Sequence, residues 1–534
     1  MALNYPRIYN AARRWMLRTR NDLRIRRVAI QVARHAPEPK TKPVIFFNAS
    51  TRLSGLSLNG AFSLLTSWGL RLRGIPVHHF VCASGMTRCI HGTRRDDPQH
   101  LPPCQECIHQ SRVNYQAADV TWFSYRSDPE LEQVLKGLSV EEMMDFSWEG
   151  IPLGALVLPS LRWVLRRYHL QTDADTHFFF CQYLLSAWSV AQSFGEALQK
   201  LAPQAVVVFN GMVYPEAVAR WLARREGIRV ITHEVNMLPY TAYFTDQEAT
   251  FRTVETGPDF DLDESQSAHL DAYLEERFQG KFNMAGVSFW KEMRGLGKEL
   301  EEKINGFKQV VPVFTNVIFD TTQEHANIVF EHMFDWLNTI LNIIRGHPET
   351  LFIIRAHPDE CRPGKFSLES VADWVKTNQV DQLKNVVFIP PDEYVSSYAL
   401  IQKAKFTLVY SSTIGLEAVL MGAPVLCGGN SRYNQIPTAF FEATPAAFCG
   451  KVEQFLEADS VNLPVDYIRN ARRFLYAELF FYGLSFDDLL EEDGIWQGYV
   501  RLKSITWRDL LTENSKTMQI IVDGIVNQKP FRIP

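Results

Sequence analysis

The sequence predicts an α/β fold with two Rossmann-like domains facing each other across a cleft. Three observations carry this. Short apolar runs bounded by turn residues alternate with helical stretches from residue 44 to about 232, and the alternation restarts at 310. The segment between them, 241–305, is polar and helical in character, with no strand pattern. The chain of 534 residues exceeds what one core serves, so two domains plus additions is its natural size.

The chain opens on a basic stretch, 4–35, with nine arginines against one acid, Asp22. Trp15, Leu17, Leu23, Ile25, Val28 and Ile30 give it an apolar side. It predicts a helix lying either on an anionic membrane surface or on an acidic surface of the protein itself. APEPKTKP (36–43) ends it as a linker. VIFFN (44–48) is a buried strand, followed by the loop ASTRLSGLSLNG and a helix from about 60 to 73. IPVHHFVC (75–82), AVVVF (205–209) and RVIT (229–232) are further strands, the last two flanking a helix over 214–226. HFFFCQYLLSAWSVAQSFGEAL (177–198) is too polar to span a membrane and reads as a buried helix.

In the second half the strands are VVPVF (310–314), LFIIR (351–355), VVFI (386–389), FTLVY (406–410) and PVLC (424–427). Helices fall between them at 324–344, 367–377, 394–403 and 413–421. Alternation of this kind means parallel sheets with crossover helices. The expected division is 1–43, basic helix and linker; 44–240, first Rossmann-like domain; 241–305, helical connection; 306–465, second Rossmann-like domain; 466–534, an aromatic-rich helical tail able to pack back across both.

A net charge of −5 gives no reason to expect nucleic-acid binding. The N-terminus carries charges throughout and has no compact apolar run before a cleavage site, so a cytoplasmic protein is expected, peripheral on the membrane's inner face if the basic helix docks there.

In open parallel sheets, ligands bind outside the carboxyl ends of the strands. This rule separates two His-Pro pairs in RGHPETLFIIRAHPDE (345–360). His347 precedes the strand LFIIR and reads as a turn. His357 follows it and belongs to the site, with Arg355 behind it. The other carboxyl-end loops agree. FTLVY leads into Ser411, Ser412 and Thr413, then a helix with Gly415; hydroxyls and backbone N–H groups there suit phosphate. Glu417 has no capping role from Thr413, because a capping box would need an acid or amide at 416, which is Leu. A carboxylate there suits ribose hydroxyls. Asn316 and Asp320 follow VVPVF. The second domain is therefore expected to bind a phosphate-bearing nucleotide, with Arg355 and His357 on the phosphates.

FTNVIFD (314–320), DWL (335–337), IIRAHPDE and YSSTIGLEAVLMGAPVLCGGNSRY together resemble the C-terminal half of capsule-polysaccharide biosynthesis glycosyltransferases of the GT-B fold. The resemblance covers about 308–435 well and the first half loosely, through FFNAS, FNG (209–211) and HE (233–234). It implies transfer of a sugar from a nucleotide-sugar donor to a surface or capsular glycan or glycolipid, usually without a catalytic metal. It places the donor phosphate on His357 and on Ser411, Ser412 and Thr413. The first domain would hold the acceptor. A base for an inverting reaction falls first on Glu234, with His233 beside it; the alternative is that Glu234 only caps or pairs with an arginine. Asn210, Gly211, Ser54 and Gly55 would line the acceptor side, where small residues let backbone approach a ligand. Three other readings fit the same fold: a nucleotide-sugar epimerase, a polyol-phosphate transferase, or a non-catalytic partner held at the membrane.

Cys82, Cys89, Cys104 and Cys107 fall within 26 residues, the last two as C-x₂-C. This predicts a structural metal, zinc first and an iron–sulfur cluster as the alternative. Cys82 ends a strand, and His91 is the alternative fourth ligand in its place. Reduced cysteines without metal are the remaining possibility.

Overall fold

The computed structural model describes residues 5–49, 55–257, 259–281, 283–284, 287–288 and 293–534. Two sheets organise it. Across the first, the strand order is Leu484–Ser485, Thr241–Thr245, Arg229–Val235, Ala205–Phe209, Val44–Asn48, Val77–Cys82 and Asp119–Phe123. All pairings are parallel except those made by Thr241–Thr245. Across the second the order is Val386–Ile389, Thr350–Arg355, Gln309–Phe314, Thr407–Val409, Val425–Cys427 and Phe440–Phe441, all parallel. Each sheet reverses direction of growth at its centre, between 44–48 and 205–209 in the first and between 309–314 and 407–409 in the second. A crevice opens at such points, and the sequence rule for ligands applies there.

Both sheets are covered on both faces, and strand alternation shows it. Val44 and Phe46 enter one core with helix Leu58–Leu72 and the tail helix Lys516–Asn527. Ile45 and Phe47 enter the opposite core with helices Leu153–Leu165 and Ala174–Leu201. Period-two alternation with apolar residues on both sides is what a buried strand requires. Helix Ala174–Leu201 contains the whole 177–198 run, which is core. Among the described residues no helix is long and apolar enough to cross a membrane.

Three features depart from the sequence expectation. Within 241–305, TAYFT (241–245) is an antiparallel strand on the first sheet, and helices occupy only Glu264–Phe278 and Lys298–Asn305. The tail is not simply helical. After helix Val465–Tyr476 it adds a strand at Leu484–Ser485, and a second small sheet joins Leu490–Glu492, Tyr499–Leu502 and Leu56–Ser57. The basic helix, Tyr5–His35, divides in two. Its later half packs on the protein through buried Ile25, Val28, Ala29 and Val32, with Arg24 paired to Glu491 at 2.8 Å and His35 stacked on Trp507. Its earlier half exposes Arg13, Arg14, Trp15, Met16 and Arg20.

The tail helix is integral to the first domain. Met518 is fully buried, and its sulfur occupies the space 3.0 Å from where a Cβ on Gly69 would lie. Met518→Ala should cost about 2–5 kcal/mol through lost burial and the cavity left behind. It should lower the thermal midpoint; an unchanged melting curve would show that the tail is peripheral to the core.

Candidate active site

The carboxyl ends of the two sheets face one cleft of about 890 Å³. On its second-domain wall, Asn316 and Ser411 follow the two strands that flank the central reversal. The Asn316 side-chain amide donates to Ser411 Oγ at 3.0 Å, bridging that crevice. Ser412 and Thr413 line the cleft beside them. Asp320 also lines it, and its Oδ1 accepts bonds from the Thr322 amide and hydroxyl, both at 2.9 Å.

His357 and Arg355 lie in the cleft wall at the end of strand Thr350–Arg355. His357 Nδ1 accepts the Asp359 amide N–H at 3.1 Å, which starts the turn Pro358–Glu360. Burial pulls the imidazole pKa down, against the pull of Asp359, so the ring is neutral with its proton on Nε2. Arg355 donates to the Pro390 carbonyl at 3.1 Å, and burial lowers its pKa to about 10. Arg362 and Lys365 also line the cleft, each 3.2 Å from the Asp359 carboxylate. His347 lies at the other end of the strand, 2.7 Å from Glu453 and 3.2 Å from Glu349.

On the first-domain wall, Glu234 is held by three donors. Asn59 Nδ2 lies 2.6 Å from Oε1, the Val235 amide 2.8 Å from Oε1, and Asn210 Nδ2 3.1 Å from Oε2. All of Asn59, Asn210 and Glu234 line the cleft. Oε1 has both lone-pair sites engaged, and Oε2, with one donor, keeps a site for a further one. Among the described residues no arginine pairs with Glu234; its hydrogen bonds come from amides. His233, one position earlier, points into the core, is 1% exposed, and has its pKa pushed down to about 3 by burial. It is not a cleft residue.

Several residues singled out from sequence do other work. Gly415 does not line the cleft. A Cβ there would sit 2.2 Å from Tyr433 Oη, so the glycine makes room for Tyr433, which bonds the Ser412 carbonyl at 3.1 Å. Glu417 does line the cleft, but its carboxylate is already engaged. Oε1 accepts from Arg277 at 2.6 and 2.9 Å, and Oε2 from the Tyr398 hydroxyl at 2.6 Å. Gly211 takes φ +87° behind the wall, and Gly55 packs against the Tyr499 ring; neither lines the cleft. Ser54 lies outside the described residues.

Sequence reasoning missed a buried ion network at the back of the cleft. Arg252 and Glu478, each 1% exposed, pair at 2.5 Å, and Arg432 reaches the same Glu478 oxygen at 3.1 Å. Asn236 joins through Arg252 at 3.2 Å and the Glu478 carbonyl at 2.8 Å. Burial alone would raise the Glu478 pKa, but the two guanidiniums outweigh it and hold the carboxylate ionised. No local pattern marks this set, because its members come from four separate segments. Arg362 and Lys365 did leave a signal: both follow His357 in one loop, RAHPDECRPGK.

All four clustered cysteines and His91 line one small apolar cavity in the first domain. Burial raises the thiol pKa of Cys82 to about 12, Cys89 to about 11 and Cys107 to about 12. Among the described residues no group of three His, Cys, Asp or Glu side chains is placed to hold one metal ion, so the zinc expectation finds no support.

Residues 290–437 match the family model for capsule polysaccharide biosynthesis proteins. That span contains the whole second-domain wall from Asn316 to Tyr433. No curated protein matches the chain. Similar solved structures include two of Thermosulfurimonas dismutans KpsC. Its β-Kdo 2,4 transferase shows 11% identity and a TM-score of 0.34, covering 53% of this chain and 81% of that one. Its β-Kdo 2,7 transferase shows 14% identity and a TM-score of 0.32, covering 60% and 88%. UDP-GlcNAc 2-epimerase from Neisseria meningitidis shows 12% identity and a TM-score of 0.23, covering 82% and 99%.

The His357 loop also holds a buried acid. Glu360 accepts the Val371 amide N–H at 3.2 Å, yet burial raises its pKa from 4.5 to about 8. The unfolded chain ionises this group near 4.5 and the folded chain only near 8, so stability falls as pH rises through that window. Glu360→Gln should therefore melt higher than the parent at pH 8, with the gain vanishing near pH 4.5. An equal gain at both pH values would sink this assignment.

Proposed function

We propose that this protein is a glycosyltransferase that moves a sugar from a nucleotide-sugar donor to a capsular or surface glycan or glycolipid. The observation that carries the reading is one cleft with opposed chemistry. A wall rich in cations and hydroxyls (Arg355, His357, Arg362, Lys365, Ser411 and Ser412) faces a wall that presents the carboxylate of Glu234. The match of 290–437 to a capsule biosynthesis family supports it.

The donor's phosphates bind the second-domain wall. The neutral His357 ring donates its Nε2–H to a phosphate oxygen, while Arg355, Arg362 and Lys365 supply positive charge as the leaving group develops its negative charge. These groups belong to the chain itself, and the reaction is read as independent of a catalytic metal. Glu234 takes the proton of an acceptor hydroxyl as that oxygen bonds to the anomeric carbon and the sugar–phosphate bond breaks. Direct displacement of this kind inverts the anomeric centre. Asn59, Asn210 and the Val235 amide fix the carboxylate so that proton transfer needs no rearrangement.

A thermal-shift screen against CMP, UDP, GDP, CDP and TDP identifies the donor class, because a ligand that binds only the folded state raises its melting temperature. His357→Ala should weaken binding of the identified nucleotide by about 1.5–3 kcal/mol, the worth of a hydrogen bond to a charged group. His347→Ala should leave it unchanged, and equal effects at both sites would refute the donor assignment. Glu234→Gln should retain nucleotide binding and lose transfer by roughly 10²-fold or more. Full transfer by that variant would remove Glu234 as the base.

The exposed half of the basic helix supports peripheral contact with anionic membrane at the cytoplasmic face, where a lipid-linked acceptor would sit. The Arg14 guanidinium lies 5.7 Å from the exposed Trp496 ring, and the next two residues, Gln497 and Gly498, line the cleft. The basic, aromatic patch is thus adjacent to the cleft opening. Arg13→Ala with Arg14→Ala should weaken binding to anionic vesicles roughly tenfold or more, at about 1 kcal/mol per basic residue. Undiminished binding would refute the docking role while leaving the transferase reading intact.

A further inference from the structure

We propose that Glu369 is a positioning residue: through it the first domain sets the second-domain loop that brings Arg362 and Lys365 to the cleft. The role rests on the reading that these cations bind the donor's phosphates. The loop runs from His357 to Glu369, and it closes on itself where the Ser367 amide donates to the Glu360 carbonyl at 2.8 Å. Arg362 and Lys365 stand in the span between those two contacts. Both are long side chains with many rotamers, so their charge has a fixed place only if the backbone beneath them is fixed.

The first domain meets that backbone at four successive points. Its arm, 166–169, leaves the end of helix Leu153–Leu165. The Arg166 guanidinium donates to the Gly364 carbonyl at 2.5 Å, and the Arg166 carbonyl accepts the Leu368 amide at 2.9 Å. Between these, Arg95 donates to the Phe366 carbonyl at 3.3 Å. Glu369 then takes hold of the arm with both oxygens. Oε2 accepts the amides of Tyr168 and His169 at 2.9 and 3.1 Å, and Oε1 accepts from His169 Nδ1 at 2.5 Å. Burial would raise the Glu369 pKa, but the bonds from the arm outweigh it and hold it down.

An exposed ion pair alone would fix little. This one is part of a built contact. Arg166 caps its helix at φ +58° and ψ +36°, a left-handed conformation that glycine adopts at less cost. Its guanidinium lies 3.9 Å from the centre of the Trp163 ring and 5.1 Å from that of Phe319, a second-domain residue. Trp163 and Tyr168 also pack against the core of the second sheet. His169 is oriented in turn. His332 Nδ1 accepts the Asp335 amide at 3.2 Å, capping helix Met333–Gly346, and its Nε2 lies 3.1 Å from His169 Nε2. Donors and acceptors pair off along this chain when His332 carries its proton on Nε2 and His169 carries its own on Nδ1, toward Glu369.

The test uses the full chain, with hydrogen exchange to read the loop and inorganic pyrophosphate to probe the wall. In Glu369→Ala, segment 362–369 should exchange roughly tenfold faster, while strand Thr350–Arg355 exchanges as in the parent. Pyrophosphate should bind roughly tenfold more weakly, the scale of one hydrogen bond to a charged group. A background of Arg362→Ala with Lys365→Ala keeps Arg355 and His357; there Glu369→Ala should change binding by no more than about twofold, because the groups it acts through are gone. A purely structural loss would add in full. Unchanged exchange at 362–369, parental pyrophosphate affinity in Glu369→Ala, or a full further loss in the double background would overturn the proposal. If Glu369→Ala does not fold, Glu369→Gln carries the same readings, since either orientation of its amide sets a donor against a donor. A parent chain that binds no pyrophosphate refutes the phosphate reading of the wall and this role with it. A parent that binds it while Glu369→Ala binds it equally refutes this role alone.

Discussion

The Arg252–Glu478–Arg432 network fixes the geometry on which the cleft depends. Asn236 comes from the end of the first sheet, Arg252 from the crossing to the second half, Arg432 from the loop after strand Val425–Cys427, and Glu478 from the tail. Two cations meet one anion; Arg252 and Glu478 are each 1% exposed, while Arg432 keeps 25% of its side chain open to the cleft. Desolvating these ions is costly, and the attraction offsets that cost only in good geometry. Breaking such a buried pair by removing one partner typically costs about 3–5 kcal/mol. The two domains are therefore held at one spacing by an interaction that punishes displacement more than an apolar contact would.

A second ion pair extends this logic to the second-domain wall. Arg277 lies on the connecting helix Glu264–Phe278 and grips Glu417 on the helix behind Ser411, Ser412 and Thr413. Burial would lower the Arg277 pKa, but the Glu417 carboxylate beside it outweighs that and raises it. The second-domain wall thus takes part of its shape from a segment outside the second sheet.

The sheets were legible in the sequence because their strands are continuous apolar runs that need no partner to be recognised. VIFFN and LFIIR could be placed, and their ends told His347 from His357. TAYFT was hidden by polar surroundings, and DVTWF (119–123) because its burial is partial. Glu234 and Asn210 fell at strand ends, where the ligand rule looks, whereas Asn59, in the first turn of helix Leu58–Leu72, did not. Glu417 was harder. A local argument found it without a capping role, but its partner is 140 residues away in sequence. Gly415 failed for the opposite reason: a glycine in a hydroxyl-rich loop suggests room for phosphate, whereas the room is taken by Tyr433. Local chemistry is written in the sequence; which distant side chain arrives first is not.

The path of the tail has a consequence for how the molecule is made. Leu484, Phe486, Met518 and Ile521 are buried in the core of the first domain, and Leu484–Ser485 closes the edge of its sheet. These residues leave the ribosome after the other strands of both sheets. Domains ordinarily fold in order as they emerge. Here the first domain waits, with an open sheet edge and an unfilled core, until the second has been synthesised and the chain has returned. During that interval the exposed edge is a template for wrong pairing. The molecule's dependence on chaperones should therefore be concentrated in the first sheet's domain, although its missing part is encoded after the second sheet.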